Sequence, residues 1–144
     1  MIFQHLKKES KRQVKKLLHS LSICISNTRL RNSTKTNIPE NKEEIRLFCI
    51  LKNESLRLPY FFEYYKKLGV DRFFIIDNDS TDGSFEFCQN QENTHVFKTT
   101  EDYSKHWNWM EIILEKYGLG YWCLVVDVDE IFHYPNRENI PLRK

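Results

Sequence analysis

The chain has 144 residues, a length that suits one domain with a short arm. Hydrophobic residues make up 40% and aromatic residues 14% of it, which is enough for a buried core. Charge is uneven: residues 1–42 carry ten Lys or Arg against two acidic residues, a net charge of +8, and residues 43–144 carry twelve against eighteen, a net charge of −6. The acidic body argues against nucleic acid as a partner.

The cysteines and the apolar runs indicate the compartment. No Cys-x-x-Cys pair or zinc-ligand spacing occurs among Cys24, Cys49, Cys88 and Cys123. Three of the four lie in apolar runs, where reduced, packed thiols are expected. No apolar stretch reaches the roughly 18 residues that a membrane span needs. We therefore expect a cytoplasmic protein that can also associate with a membrane surface.

The basic arm has helical periodicity. Five apolar residues recur on one helix face, namely Val14, Leu17, Leu18, Leu21 and Ile25. We predict a basic amphipathic helix over residues 1–26 and a polar linker over residues 27–43. The part from residue 3 to residue 25 can bind an anionic membrane surface as a peripheral helix. A helix that docks on the rest of the protein explains the same pattern, and the sequence leaves both readings open.

Predicted strands and helices alternate over residues 44–144. Strands are expected at 45–51, 72–76, 95–97 and 121–126, with helices at about 58–68, 84–90 and 103–117. Ser55 can cap the first of these helices, although the position of Pro59 also allows a start nearer Leu58. The last helix is expected to bury Trp107. The alternation predicts an α/β fold with a mostly parallel sheet, strand order 3-2-1-4 and helices on both faces.

The fourth predicted strand ends in the three carboxylates of Asp127, Asp129 and Glu130. The run before them is apolar and rich in Val and aromatics, so we expect a strand buried on both faces. Alternation along an extended strand points Asp127 and Asp129 the same way. Such carboxylates need backbone donors or a cation, and their oxygens suit Mg²⁺ or Mn²⁺. A turn that simply ends the strand is the alternative.

Polar clusters follow three of the predicted strands, at 52–54, 77–82 and 127–130. Parallel strands end at the same sheet edge, where ligands bind in folds of this class. The chain lacks a G-x-G-x-x-G fingerprint, a P-loop and a nucleophile elbow. The remaining chemistry is a divalent ion, held by carboxylates, that binds a diphosphate and stabilises its charge as it leaves.

These segments resemble family 2 glycosyltransferases, which have the Rossmann-like GT-A fold. The resemblance covers roughly residues 45–134. It rests on Lys52-Asn53-Glu54, on the stretch 58–71, on the loop 77–84 and on Asp127-Val128-Asp129-Glu130. It implies metal-dependent transfer of a sugar from a UDP- or GDP-linked donor to an acceptor, as in polysaccharide biosynthesis. The acceptor is expected to be a glycan or a lipid-linked molecule.

The resemblance also implies roles for individual residues. The donor-binding residues would be Lys52, Asn53, Glu54, Asp77, Asn78 and Asp127. Asp127 and Asp129 would hold Mn²⁺ or Mg²⁺. Glu130 matches the motif but is only a weak candidate for a catalytic residue.

Family members continue beyond the segment that ends at Glu130, and their later part carries the acceptor site and usually the catalytic base. The catalytic base is therefore not assigned here, and residues 44–144 are interpreted as a donor-binding half-domain truncated at its C-terminus. Two alternatives stay open: a truncated, inactive nucleotide-binding remnant, and a GT-A-like nucleotidyltransferase.

Overall fold

The computed structural model describes residues 2–34, 37–137 and 142, with side chains described from residue 12 onward. The helices are α1 (Ile2–Arg29), α2 (Leu58–Leu68), α3 (Ser84–Gln89) and α4 (His106–Tyr117). The strands are β1 (Arg31–Asn32), β2 (Ile45–Leu51), β3 (Arg72–Asp77), β4 (Thr94–Lys98) and β5 (Trp122–Val125). This is a mixed α/β fold, as the sequence predicts.

The strands form one five-stranded sheet in the order β1-β4-β3-β2-β5. β2 pairs in parallel with β3 and with β5, and β3 pairs in parallel with β4. The order differs from the predicted 3-2-1-4 because β1 adds an antiparallel edge beside β4. β1 has only two residues and lies in the segment predicted as a linker, where it leaves no periodic signal. The four predicted strands correspond to β2, β3, β4 and β5, and these four lie beside each other in the predicted order.

Helices cover both faces of the sheet. Successive residues of β2 point to opposite faces and therefore belong to two different cores. Leu47, Cys49 and Leu51 belong to a core under α2 and α3, whereas Phe48 belongs to a second core under α4. Phe48 stacks on Phe74 of β3 with ring centroids 4.8 Å apart. Burial of each such side chain stabilises the fold by roughly 1.5–3 kcal/mol.

Two helix details differ from the sequence prediction. α2 begins at Leu58, the later start that Pro59 allows, so Arg57 rather than Ser55 occupies the capping position, and no side chain caps the helix. Trp107 is 70% exposed, whereas Trp109 is fully buried. α4 is covered by the sheet on one side and by α1 on another, so its buried surface is wider than a single apolar stripe.

The strand that ends in the carboxylates was predicted to be buried on both faces, and this prediction was wrong. Within the part of the chain that the structure describes, β5 is an edge strand that pairs with β2 alone. Trp122 is 80% and Val125 is 49% exposed. Apolar composition indicates a strand but does not say whether another strand or helix lies beside it.

A buried charge network closes the sheet at the starting ends of β2 and β3. The Glu44 carboxylate accepts hydrogen bonds from the guanidinium groups of Arg46 and Arg72, at 2.6–3.2 Å. Burial opposes ionisation of Glu44, but its contacts with Arg72 and then Arg46 outweigh burial and lower its pKa. A buried carboxylate that bridges two cations in this way fixes the relative position of two neighbouring strands.

His95 of β4 extends this network in its neutral form. Arg72 donates to His95 Nε2 at 3.0 Å, so the ring proton lies on Nδ1, which has no partner among the described residues. Burial first, and then the positive charges of Arg72 and Arg46, lower the pKa of His95 from 6.5 to about 4.

We predict that His95→Gln removes part of the acid sensitivity of the fold. Between pH 6.5 and pH 4 the unfolded chain binds a proton at His95 that the folded chain does not, so stability falls as the pH falls. The difference is roughly 2–3 kcal/mol at pH 4.5. Gln retains an acceptor for Arg72, so the loss between pH 7 and pH 4.5 should be smaller in the variant. Urea unfolding at both pH values measures it, with exposed His133→Gln as the control, and equal losses in variant and parent would refute the argument.

Candidate functional site

The carboxyl ends of β2, β3 and β5 meet at one edge of the sheet, here called the carboxyl edge. The register places Leu51 beside Asp77 and Phe48 beside Val125. The Val126 N–H continues the ladder by donating to the carbonyl of Phe48 at 3.1 Å. The loops 52–55, 77–84 and 126–130 therefore lie together, as the sequence predicts. Strand spacing puts the backbones at Asp77 and Asp127, on either side of β2, about 10 Å apart.

Asp77 is the buried carboxylate of the carboxyl edge. It is fully buried, and its Oδ1 accepts the Ser80 N–H at 3.1 Å. Its Oδ2 is buried and has no hydrogen-bond partner among the described residues. A buried polar oxygen without a donor costs about 1–3 kcal/mol or more. A ligand hydroxyl or amide that donates to Oδ2 would remove this cost.

Four hydrogen bonds join the loop 52–55 to the loop 77–84. The N–H groups of Asn53, Glu54 and Ser55 donate to Ser80 Oγ, Ser84 Oγ and Asp82 Oδ2, and the Thr81 N–H donates to Asn53 Oδ1, all at 2.8–2.9 Å. Asn53 adopts a left-handed backbone with φ of 57° to make this contact. Asn53 was predicted to bind the donor, but its side-chain oxygen accepts a hydrogen bond within the protein.

Asp82 completes this junction. It accepts from the Ser84 hydroxyl at 2.6 Å and from the N–H groups of Ser55 and Ser84. The hydrogen bond from the Ser84 hydroxyl, followed by that from the Ser55 N–H, lowers the pKa of Asp82 well below its usual range. Asp82 thus stays ionised and holds the two loops together.

Asn78 and Glu54 also have partners within the protein. The Asn78 side chain is buried, and its Nδ2 donates to the carbonyls of Glu101 at 2.9 Å and Thr99 at 3.3 Å. Glu54 forms an ion pair with Arg57. Lys52 is exposed and has no ion-pair partner among the described residues. Of the residues predicted to flank the nucleotide, Lys52 is therefore the one with a fully uncommitted side chain.

The segment after β5 is a turn that presents two carboxylates to solvent. Val126 and Val128 are buried, whereas Asp127 and Asp129 are exposed, which is the alternation the sequence predicts. The carboxylates of Asp127 and Asp129 have no hydrogen-bond or ion-pair partner in the described part of the chain. They are free to bind a cation.

Glu130 closes this turn rather than facing a ligand. The Asp127 N–H donates to Glu130 Oε2 at 3.2 Å, and the Glu130 N–H donates to the Asp127 carbonyl at 3.1 Å. The Tyr65 hydroxyl donates to the Glu130 carbonyl at 3.1 Å and so ties the turn to α2. This gives Glu130 a structural role in positioning Asp127.

The carboxylates make the carboxyl edge electronegative. The pKa of the Cys49 thiol is raised well above its ordinary value, first by burial and then by the charge of Asp127, with smaller effects that include Glu54 and Asp129. These three carboxylates thus lie near the same part of β2. A negative edge of this kind attracts cations and repels a bare diphosphate.

No three His, Cys, Asp or Glu side chains within residues 12–34, 37–137 and 142 form a ready metal-binding cluster. Two free carboxylates nevertheless suit Mg²⁺ or Mn²⁺, which usually keep waters and take further oxygen ligands from a bound phosphate. The donor set of Asp127 and Asp129 therefore fits such an ion when a phosphate completes its ligands.

Tyr103 also lies at the carboxyl edge, and no motif in the sequence marks it as a site residue. Its ring is 53% exposed and stacks on His106 with centroids 4.8 Å apart. Burial, followed by the charge of Asp127, raises the pKa of Tyr103. An exposed ring close to Asp127 can stack on a flat ligand group, but a single Tyr at the start of a predicted helix matches no motif.

A groove beside β5 lies apart from the carboxyl edge. It has a volume of about 660 Å³ and is lined by Lys42, Glu43, Ile45, Trp122, Cys123, Leu124, Phe132 and Leu142. These residues follow the free side of β5 and include none of the predicted site residues. The groove reflects the missing neighbour of an edge strand, so we place the candidate site at the carboxyl edge.

Comparison with known proteins found relatives that share one family name. A relative from Ricinus communis is 28% identical over 110 residues, or 70% of this chain and 19% of the relative. Relatives from Arabidopsis thaliana and Oryza sativa subsp. japonica are 29% and 26% identical over 68% and 63% of this chain, and 18% and 16% of the relatives. All three are named glycosyltransferase family 92 proteins. These relatives support a glycosyltransferase.

The family named for these relatives, family 92, differs from family 2, which the motifs led us to expect. Short polar motifs at strand ends reflect a need for carboxylates at a sheet edge, and different glycosyltransferase families can share that need. The chain spans less than a fifth of the length of these relatives. No family model matches the chain, and no solved structure matches it.

The junction between the two loops can be tested through Ser84. We predict that Ser84→Ala lowers the free energy of unfolding by roughly 1–3 kcal/mol, because the Glu54 N–H and Asp82 each lose a buried partner. Thr81→Ala is the matched control, since Thr81 contacts Asn53 through its backbone N–H alone. Urea denaturation of both variants measures the difference, and equal stability would show that the hydroxyl of Ser84 does not hold the loops.

Proposed function

We propose that this chain supplies the donor site of a metal-dependent glycosyltransferase that takes its sugar from a UDP- or GDP-linked donor. The observation that supports this most strongly is the presence, on one sheet edge, of a buried Asp77 oxygen without a described donor and of two exposed carboxylates, Asp127 and Asp129, on the other side of β2. The similarity to glycosyltransferase family 92 proteins supports the class of reaction.

In this proposal Asp77 recognises the nucleoside. Its Oδ2 would accept a hydrogen bond from a ribose hydroxyl or a base N–H, because both are donors that suit a buried carboxylate. Asp77 is separated from Asp127 by β2, so the two side chains are proposed to bind different parts of one ligand rather than one ion. Lys52 would contribute a positive charge near the phosphates.

Asp127 and Asp129 are proposed to hold Mn²⁺ or Mg²⁺ together with the diphosphate. When bound, the ion would stabilise the negative charge that develops on the diphosphate as the sugar leaves. The chain's own part is to keep the two carboxylates unpaired and exposed, which Glu130 does by closing the turn around Asp127. The acceptor and the catalytic base are not assigned to residues of this chain.

We predict that the chain binds UDP or GDP in the presence of Mn²⁺ and loses this binding in EDTA. Asp129→Asn should weaken metal-dependent binding about tenfold or more, equivalent to about 1.4 kcal/mol. Asp77→Asn should weaken binding of the nucleoside diphosphate while leaving its dependence on Mn²⁺ in place. Isothermal titration calorimetry with each nucleotide, with Mn²⁺ or with EDTA, measures all three.

Glu63→Gln is the matched control, because it removes one carboxylate from an exposed ion pair on α2. Thermal unfolding without ligand separates binding from folding. Asp129→Asn should not destabilise the free chain, because it removes mutual repulsion from the acidic turn. Nucleotide binding that is the same in EDTA, or that is unchanged in Asp129→Asn, would contradict the metal site.

A further inference from the structure

The apolar stripe of α1 faces solvent. Its five members are each 52–62% exposed, and they are Val14, Leu17, Leu18, Leu21 and Ile25. They are spaced so that their side chains form one continuous band along the helix. A band of exposed aliphatic side chains on an ordered helix indicates a surface that another molecule covers.

α1 contacts the body through its polar side instead. Asn108 of α4 donates to Ser22 Oγ at 2.8 Å and to Ser26 Oγ at 3.2 Å, and His19 contacts Glu111 at 3.1 Å. At 100° per residue, these docking residues lie roughly 120° around the helix from the apolar stripe. Docking on α4 therefore fixes the helix with its apolar stripe turned away from the core.

The positive charge of α1 indicates which kind of molecule would cover its apolar stripe. α1 contains seven Lys or Arg and one acidic residue, Glu9. Of these, Arg12, Lys15, Lys16 and Arg29 are exposed in the described part of the helix, and Arg29 forms an ion pair with Glu101. A positive helix with an aliphatic stripe complements a surface that combines negative charge with accessible hydrocarbon, and an anionic lipid bilayer is such a surface.

We propose that α1 binds the surface of an anionic lipid bilayer, with its apolar stripe inserted among the lipid chains and its basic residues at the headgroups. A second copy of the chain is a poorer occupant of the stripe, because it would bring two basic helices side by side. None of the described helices is long and apolar enough to span a membrane, so the helix would lie in the plane of the surface. This surface is separate from the carboxyl edge.

Co-sedimentation of the 144-residue chain with vesicles tests the proposal. Vesicles of phosphatidylserine and phosphatidylcholine should bind the chain at low salt, whereas vesicles of phosphatidylcholine alone should bind it weakly. High salt should weaken binding to the anionic vesicles. Replacing Leu17 and Leu21 by Ser should weaken binding about tenfold or more, because the apolar contact is lost.

Leu56→Ser is the matched control, since Leu56 is 94% exposed but lies outside α1. Circular dichroism should show the same helix content in the variants, so that loss of binding is not loss of α1. Two results would overturn the proposal: binding of the Leu17 and Leu21 variant equal to that of the parent, or absence of binding by the parent. A concentration-dependent dimer that this variant abolishes would assign the stripe to a second copy instead. Nucleotide binding should be the same in all these variants, so this test stands apart from that of the donor site.

Discussion

The parallel pairing of β2 with β3 on one side and with β5 on the other is the constraint on which the candidate site depends. Because all three strands run the same way, their ends bring together loops that are up to 75 residues apart in the sequence, as between Lys52 and Asp127. At the opposite edge, Glu44 bridges Arg46 of β2 and Arg72 of β3 through buried hydrogen bonds. The two features together set the register that places Asp77 beside Leu51.

The polar residues of the carboxyl edge fall into two groups. Asn53, Asn78, Asp82 and Glu130 use their side chains to join loops to each other or to close a turn. Asp77 Oδ2, Asp127 and Asp129 are left without protein partners among the described residues. The hydrogen bonds of the first group hold the loops in positions where the second group does not pair with its neighbours. A rigid edge with unpaired carboxylates has its binding groups in place before a ligand arrives.

The sequence predicted the four main strands and the three helices between them because apolar runs and helical periodicity come from the same burial that the structure shows. It also predicted that the polar clusters meet, since that follows from parallel strands. It did not distinguish Asp77 from Asn78 or Asn53, because hydrogen bonds between distant loops leave no local pattern. The exposure of Trp122 was missed for a related reason: composition cannot say which strand lies at the edge of a sheet. The side of α1 that docks on α4 could not be predicted either, because the contacting residues Asn108 and Ser26 are 82 positions apart in the sequence.

The location of a bound metal ion tests the account most directly. Mn²⁺ is paramagnetic and broadens the nuclear magnetic resonance signals of nearby amides, so the ion can be located in a ¹⁵N-labelled chain with UDP or GDP present. If the ion binds at Asp127 and Asp129, the amides of residues 127–130 should broaden first. The amides of Arg46 and Arg72 should broaden much less, because the effect falls steeply with distance and they lie near the other edge of the sheet, roughly 15–20 Å away along strands with a rise of about 3.3 Å per residue. Broadening that is equal at both edges, or that is centred on the groove beside Trp122, would contradict the assignment of the carboxyl edge as the donor site.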